Sequence, residues 1–166
     1  MHKKSYEIIK DFTRKHLHKD RPLKILDVGS FDVNGTYRPI FDNPEWEYTG
    51  LDMVTGPNVD VVAKSLYDFG LPEGEYDVVI SGNTIEHIEA IWLWVKGLAF
   101  VLKRGGWLCI TSPTKIHIHR YPIDCWRVMP DGMKYLIGQC AGLDVLSCGI
   151  DKKARTQDVF CIARKA

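Results

Sequence analysis

The feature that most narrows the fold is the spacing of short apolar runs along the chain. The runs at 24–29 (KILDVG), 47–53 (EYTGLDM), 59–63, 76–81 (YDVVIS) and 106–112 (GWLCITS) alternate with segments whose apolar residues recur at helical spacing. Strands separated in this way build βαβ units, and βαβ units make a parallel sheet. Two further strands are predicted at 143–149 and 157–164. The polar loop between them, Asp151 to Arg155, is too short for a helical crossover, so this last pair is predicted to be an antiparallel hairpin. Helices are predicted over Ser5–Leu17, where Tyr6, Ile9, Phe12 and Thr13 share a face, and over Ile88–Leu102, rich in Trp92, Trp94, Leu98 and Val101. A third runs from Pro130 to about Ala141, before Gly142. The run Lys103–Gly106 (KRGG) reads as the end of the second helix, with cations at its negative pole. Only Val54–Asn58 remain between the second and third strands, so the crossover helix there is missing or a single turn. The expected class is α/β, a doubly wound, seven-stranded, mainly parallel sheet with an antiparallel last strand.

With 166 residues the chain suits a single domain able to bury its own core without a disulfide or metal staple. The N-terminal stretch MHKKSYEIIKDF lacks the apolar core of a secretory signal, and no run approaches the roughly 18 apolar residues of a membrane span. A cytoplasmic chain with no membrane partner is expected. The five cysteines are odd in number and form no C-x-x-C pair, which argues against a disulfide framework and a zinc knuckle. With 22 basic and 21 acidic side chains, nothing attracts a nucleic-acid backbone. Lys152, Lys153 and Arg155 read as a solvated loop.

Two acids close successive strands, Asp27 on the first and Asp52 on the second. In an open α/β sheet, neighbouring strand ends face one crevice. Asp52 is placed to accept both hydroxyls of a ribose, which suits NAD as well as any other nucleoside. Asp27 stands where a dinucleotide site would bring its pyrophosphate, and no Lys or Arg lies between Gly29 and Thr36 to meet phosphate. A ribosylated, cationic, phosphate-free ligand describes S-adenosylmethionine.

The segments ILDVGSFDVNG, YTGLDM, EYDVVISGNTIEHI and LKRGGWLCITSPT, taken in order, resemble the successive motifs of a Rossmann-like, class I S-adenosylmethionine-dependent methyltransferase. The resemblance covers about Lys24 to Pro113. It implies a single methyltransferase domain over 1–166, with an N-terminal helix (1–20), a cofactor-binding core (24–113), an acceptor loop (114–132) and a C-terminal hairpin (143–166). It implies S-adenosylmethionine as cofactor. Asp27 and Gly29, with Ser30, would approach the methionine end, and Asp52 with Met53 the ribose. Leu66, Tyr67 and Asp68 would lie against adenine, and Ser81, Gly82 and Asn83 beside the transferring methyl. One departure stands out: Phe31 occupies the place where the family repeats its glycine, so that either the added side chain narrows the cofactor crevice or the turn is reshaped around Asn34 and Gly35, both tolerant of positive φ.

Methyl transfer needs an acceptor held in line and, for some acceptors, removal of a proton. The long segment Thr114–Gly132 leaves the carboxyl end of the fifth strand and carries His119 and Asp124 as catalytic candidates, with His87 as a third. Tyr121 and Trp126 are read as walls for the acceptor, and Arg127 as the partner of an anionic group on it. The packing alternative is that Tyr121 and Trp126 cover the sheet edge and Arg127 bonds carbonyls. Thr84 and Glu86 read as a helix cap and first-turn acid. His117 and His119, two apart, could chelate a metal on an extended segment, but no acid cluster accompanies them and no metal is expected. The N/D-P-P-Y/F motif of amino-methylating enzymes and a Pro-Cys pair are both absent, which turns the expectation to a small-molecule acceptor, O- or N-methylated. The 114–132 stretch also looks like one in small bacterial methyltransferases, some tied to sugar or cell-surface polysaccharide pathways. The N-terminal helix or a homodimer partner would help close the pocket. Two other readings stay open: a methyltransferase-fold binding or scaffold protein without activity, and a nicotinamide-dependent oxidoreductase.

Overall fold

A computed structural model describes residues 3–151 and 157–166. Seven strands form one sheet: β1 (Leu23–Val28), β2 (Trp46–Asp52), β3 (Val61–Val62), β4 (Tyr76–Gly82), β5 (Leu102–Lys115), β6 (Asp144–Asp151) and β7 (Gln157–Arg164). Their order is β3-β2-β1-β4-β5-β7-β6, parallel except where β7 pairs antiparallel with β5 and with β6. The chain winds outward from β1 to one edge and then returns to start β4 on its other side. The carboxyl ends of β1 and β4 therefore open a crevice at this switch point.

Strand alternation distributes the core to both faces of the sheet. Leu26, Val28, Val79, Leu108 and Ile110 pack on the side covered by α2 (Ile91–Val101) and α3 (Pro130–Tyr135). Leu23, Ile25, Val78, Ile80 and Cys109 pack on the opposite side, under Ile9 and Phe12 of α1 (Lys3–His16) and Phe41 of a short 3-10 turn, Arg38–Phe41. Among the cysteines, Cys109 and Cys161 are buried, Cys140 and Cys148 half-buried and Cys125 exposed, all as free thiols. No described helix is long and apolar enough to cross a membrane.

Several expected boundaries move, each for a local reason. The segment before α2 is not helical throughout: Ile85–His87 form a 3-10 turn and α2 begins at Ile91. Thr84 does not cap it. Its hydroxyl lies 3.4 Å from the carbonyls of Val28 and Gly82, turned toward the sheet. At the other end of α2, the cation on the helix carbonyls is Lys165, whose Nζ donates to Ala99 and Leu102 at 2.7 and 2.8 Å. Lys103 instead pairs with Asp77, and the KRGG run belongs to the start of β5, with Gly105 in the left-handed region. The third helix changes to a π turn over Leu136–Cys140. Residues 152–156, including the basic run and most of the polar loop, lie outside the described residues.

The helix α1 is tied to the crevice indirectly. Ser5 and Tyr37 share a buried hydroxyl–hydroxyl hydrogen bond of 2.7 Å, and Gly82 leaves the space through which the Tyr37 ring passes: a Cβ at Gly82 would sit 2.0 Å from the Tyr37 hydroxyl. A double-mutant cycle of Ser5→Ala and Tyr37→Phe, read by urea unfolding, should give a coupling of about 1 kcal/mol. Coupling indistinguishable from zero would show that the bond does not anchor α1.

Candidate active site

The crevice is a cleft of about 970 Å³ whose walls come from the carboxyl ends of β1, β2 and β4 and from the loop after β5. Asp27 lies at its floor, 1% exposed. The register explains the environment of this acid. Asp27 pairs with Gly50 and Ile25 with Tyr48 on the neighbouring strand, so Tyr48 lies diagonal to Asp27 on the same face, and the bare Gly50 leaves room between them. The Tyr48 hydroxyl donates to Asp27 Oδ2 at 2.5 Å, while Asp27 Oδ1 accepts no hydrogen bond. Burial, with the Asp52 carboxylate adding to it, pushes the Asp27 pKa up to about 7 against the lowering effects of Tyr48 and Arg38.

A brace of polar groups holds this corner. Asn58, itself in the left-handed region, donates to the Ser30 carbonyl at 2.8 Å and accepts from Arg38 Nε at 2.8 Å. The Ser30 hydroxyl donates to the Asn58 carbonyl. Arg38 stacks over the Tyr48 ring at 4.4 Å and pairs with Asp60, which also accepts from the Gly50 amide. None of Tyr48, Arg38, Asn58 or Asp60 stands out along the sequence. Tyr48 is within reach of pattern reasoning, because strand alternation places it two positions from Gly50 on the face that carries Asp27.

The turn after β1 is locked by its own amides. Gly29 and Ser30 donate to the Leu51 carbonyl, Phe31 to Asp52 Oδ2 and Asp32 to the Pro57 carbonyl. Gly29 has φ +82°, and a Cβ there would lie 2.1 Å from the Thr84 hydroxyl, so no side chain fits. Of the pair expected to relax the turn, Gly35 takes a positive φ and Asn34 does not. Phe31 lines the cleft with its ring against Gly56, where a Cβ would come within 2.2 Å. Asp52 also lines the cleft, its oxygens oriented by the Phe31 and Met53 amides at 3.0 and 2.7 Å.

Of the residues expected at the cofactor, Asp27, Gly29, Ser30, Asp52, Met53, Leu66, Gly82 and Asn83 line the cleft. Ser81 lies behind it, fully buried, its hydroxyl donating to the Val28 carbonyl and joining β4 to β1. Tyr67 and Asp68 are not among the lining residues; the Tyr67 hydroxyl accepts from the Ala90 amide, and Phe69 takes the apolar place beside Leu66. The residues present fit a cationic nucleoside: a buried carboxylate oxygen with no donor, an oriented second carboxylate, and the apolar floor of Ala63, Leu66 and Phe69.

The opposite wall is His87, His119, Arg120, Tyr121, Pro122 and Ile123. The loop that carries most of it is strapped to the 3-10 turn: Cys125 and Trp126 amides donate to the Glu86 carbonyl, and Trp126 Nε1 donates to the Ile88 carbonyl at 2.8 Å. Arg127 holds Asp124 with both terminal nitrogens at 2.5 and 2.7 Å, and Asp124 accepts from the His119 amide at 2.8 Å. Arg127 thereby keeps the Asp124 carboxyl well below its ordinary range. Trp126, Arg127 and Asp124 are thus parts of the strap and do not line the cleft; the packing alternative describes Trp126 and Arg127. Burial lowers the pKa of His119, which keeps the imidazole neutral. No residue of α1 lines the cleft.

The fold and many solved methyltransferases coincide. A S-adenosylmethionine-dependent methyltransferase from Aquifex aeolicus superposes with a TM-score of 0.70 at 17% identity, covering 97% of this chain and 92% of that one. The 1,6-didemethyltoxoflavin-N1-methyltransferase of Burkholderia thailandensis, solved with 1,6-didemethyltoxoflavin and S-adenosylhomocysteine bound, gives 0.68 at 16% identity over 98% of this chain and 84% of its own. In sequence, the Mycobacterium tuberculosis (strain H37Rv) protein named "Probable S-adenosylmethionine-dependent methyltransferase Rv3030" is 27% identical over 109 residues, 62% of this chain. That alignment spans 40% of the length of the relative.

Two outcomes follow from the carboxylates. Because the folded pKa of Asp27 lies above its ordinary value of 3.8, the folded state binds more protons than the unfolded chain between that value and about 7. Folding stability from this group therefore falls as pH rises through that window and levels off above it. Thermal unfolding of the free protein from about pH 5 to about pH 8 should show this fall, and Asp27→Asn should flatten it; an unchanged profile in the variant would reject the assignment. Replacing Asp52 by Ala should weaken S-adenosylhomocysteine binding by about 1.5–3 kcal/mol in calorimetry, and unaltered affinity would remove Asp52 from the ribose.

The methyltransferase domain family matches residues 26–110, just over half of the chain, from within β1 to within β5, a span that includes both carboxylates of the cleft. The chain belongs to this methyltransferase domain family.

Proposed function

We propose that this chain transfers a methyl group from S-adenosylmethionine to a small-molecule acceptor that bears an anionic group. The observation that carries this reading is the continuity of the cleft. Its acidic half, Asp27 and Asp52, and its imidazole and guanidinium half, His87, His119 and Arg120, are walls of one space of about 970 Å³. Ligand pockets typically run to about 300–1,000 Å³, so this one has room for a cofactor and a modest acceptor side by side.

The cofactor would bring an activated methyl on a sulfonium centre. The chain's own residues do the rest. Asp27 Oδ1 meets positive charge at the methionine end, Asp52 orients the ribose, and Leu66 and Phe69 cover the base. Arg120 lies at the far wall, exposed and with no ion pair among the described residues, whereas Arg127 is already committed to Asp124. Arg120 is therefore the cation that can take a carboxylate or phosphate of the acceptor. His87 and His119 face the reacting oxygen or nitrogen, and Asp124 acts through His119 as a positioning residue. The rim carries exposed Val33, Met53, Val54 and Tyr121, apolar surface that bound ligands would cover. An O- or N-methylated precursor of a sugar or polysaccharide fits this wall when it carries acid.

Incubation of the protein with methyl-labelled S-adenosylmethionine and a metabolite extract, separated by charge, should place label in the dialysable anionic fraction. Label recovered in protein or RNA, or no thioether product with any fraction, would overturn the reading. With the acceptor in hand, Arg120→Ala should raise KM by about tenfold while kcat changes little, as expected when a charge-assisted contact is made equally in ground and transition states.

A further inference from the structure

Three ligand-bearing side chains meet where the strap crosses the 3-10 turn. Glu86 is fully buried. Its Oε1 lies 3.8 Å from His87 Nε2 and 3.9 Å from His119 Nε2, and the two imidazoles meet nearly edge to face with centroids 5.0 Å apart. The three ligand atoms all lie within 4.8 Å of one another.

The far sides of the rings decide what these atoms offer. His87 Nδ1 lies 2.6 Å from the Ile123 carbonyl, which can only accept, so Nδ1 carries the proton and Nε2 presents a lone pair. His119 Nδ1 faces the His117 carbonyl at 3.3 Å and Asp124 Oδ2 at 3.5 Å, two acceptors again, and its Nε2 is likewise a lone pair. Carbonyl and carboxylate partners on the outer nitrogen of a histidine are the arrangement that orients metal-binding imidazoles. The other Glu86 oxygen accepts from the Ser112 hydroxyl at 3.1 Å, which fixes the direction of the carboxylate.

We propose that Glu86 Oε1, His87 Nε2 and His119 Nε2 form a binding site for one divalent first-row transition cation. Two imidazole nitrogens and a carboxylate oxygen brought this close form a donor set that a single cation can share. Zinc bonds of about 2.0–2.2 Å place tetrahedral ligand atoms about 3.4 Å apart; the two edges from Glu86, at 3.8 and 3.9 Å, are near this spacing, and the edge between the imidazole nitrogens, within 4.8 Å, closes by rotation of the rings. Two histidines and one carboxylate leave coordination positions open, and His87 and His119 both line the cleft, so those positions face it. Spacing along the chain could not show the set: Glu86 and His87 follow β4, while His119 arrives from the loop after β5, and the sequence neighbour His117 is exposed and outside the triangle. An oxygen of the acceptor completing the shell would make this site a selector for oxygen acceptors. That last point rests on the methyl-transfer reading; the metal site itself does not.

The test titrates chelator-treated full-length protein with Zn²⁺ by calorimetry and with Co²⁺ by visible absorption. One equivalent should bind. His87→Ala, His119→Ala and Glu86→Gln should each weaken binding by roughly tenfold or more, whereas His117→Ala should retain it. Thermal unfolding of each metal-free variant identifies any that fail to fold, and the two exposed-side histidine variants stand in should the buried Glu86→Gln be lost. Absence of saturable one-to-one binding, an equal loss in His117→Ala, or full affinity in folded His119→Ala would overturn the proposal. Affinity for S-adenosylhomocysteine is measured separately: metal binding without nucleoside binding would keep the site and remove the methyl-transfer reading.

Discussion

The arrangement of this molecule depends on a carboxyl group taken out of water at the end of its central strand. Desolvating an ionised carboxylate is costly, and a group so placed ordinarily either finds partners or takes up a proton. Asp27 is left between these outcomes. Tyr48 serves one oxygen, nothing serves the other, and Asp52 nearby disfavours a second negative charge. Gly50 gives Tyr48 its space, Asn58 and Arg38 hold the corner, and Gly29 brings the chain close over Thr84. Each of these features holds the carboxylate in its place at the end of β1.

The second half of the cleft is built by a different device. Fourteen-residue β5 ends at Lys115, and the chain then crosses back to the 3-10 turn after β4, where main-chain and indole donors meet the carbonyls of Glu86 and Ile88. The side chains with the most conspicuous chemistry in this loop, Arg127 and Trp126, are spent on holding it. Their less conspicuous neighbours, His119 and Arg120, receive the positions facing the ligand space. The strap thus sets this wall of the cleft opposite the carboxylates at the strand ends.

The strands and the two acids were legible because their signals are local. Apolar alternation marks a strand without knowing its partner, and an acid at a strand end is visible from the run that precedes it. That both acids would face one cleft follows from strand order alone. Asn58 and Arg38 were not legible, because their roles depend on a left-handed Asn58 that sequence leaves unstated, whereas strand alternation brings Tyr48 within reach once β2 is set beside β1. Phe69 and Glu86 were hidden for a related reason. One lies three residues past Leu66 in an irregular segment, and the other reads as an ordinary first-turn acid until His119 is folded against it. The helix ends at Val101, beside the expected Leu102, but the cation on its carbonyls was misassigned, because Lys165 comes from the last strand's exit.

The turn itself bears on the choice among nucleoside ligands. A dinucleotide site depends on free amides at the first glycine turn and the helix start that follows, directed at pyrophosphate. Here the amides of Gly29, Ser30, Phe31 and Asp32 are all donated within the protein, to Leu51, Asp52 and Pro57. No α-helix follows the turn; the next element is the 3-10 turn at Arg38. A pyrophosphate placed there would meet the Asp27 carboxyl and none of these four amides, which weighs against the nicotinamide reading on the same ground that favours a sulfonium. Phe31 fits this account as well. In place of a second glycine, the room is made by Gly56, against which the ring packs, so the ring adds an apolar face to the cleft that Asp52 also lines. A turn whose first four amides are committed within the protein lacks the backbone cradle that holds pyrophosphate, and the space suits a ligand that carries none.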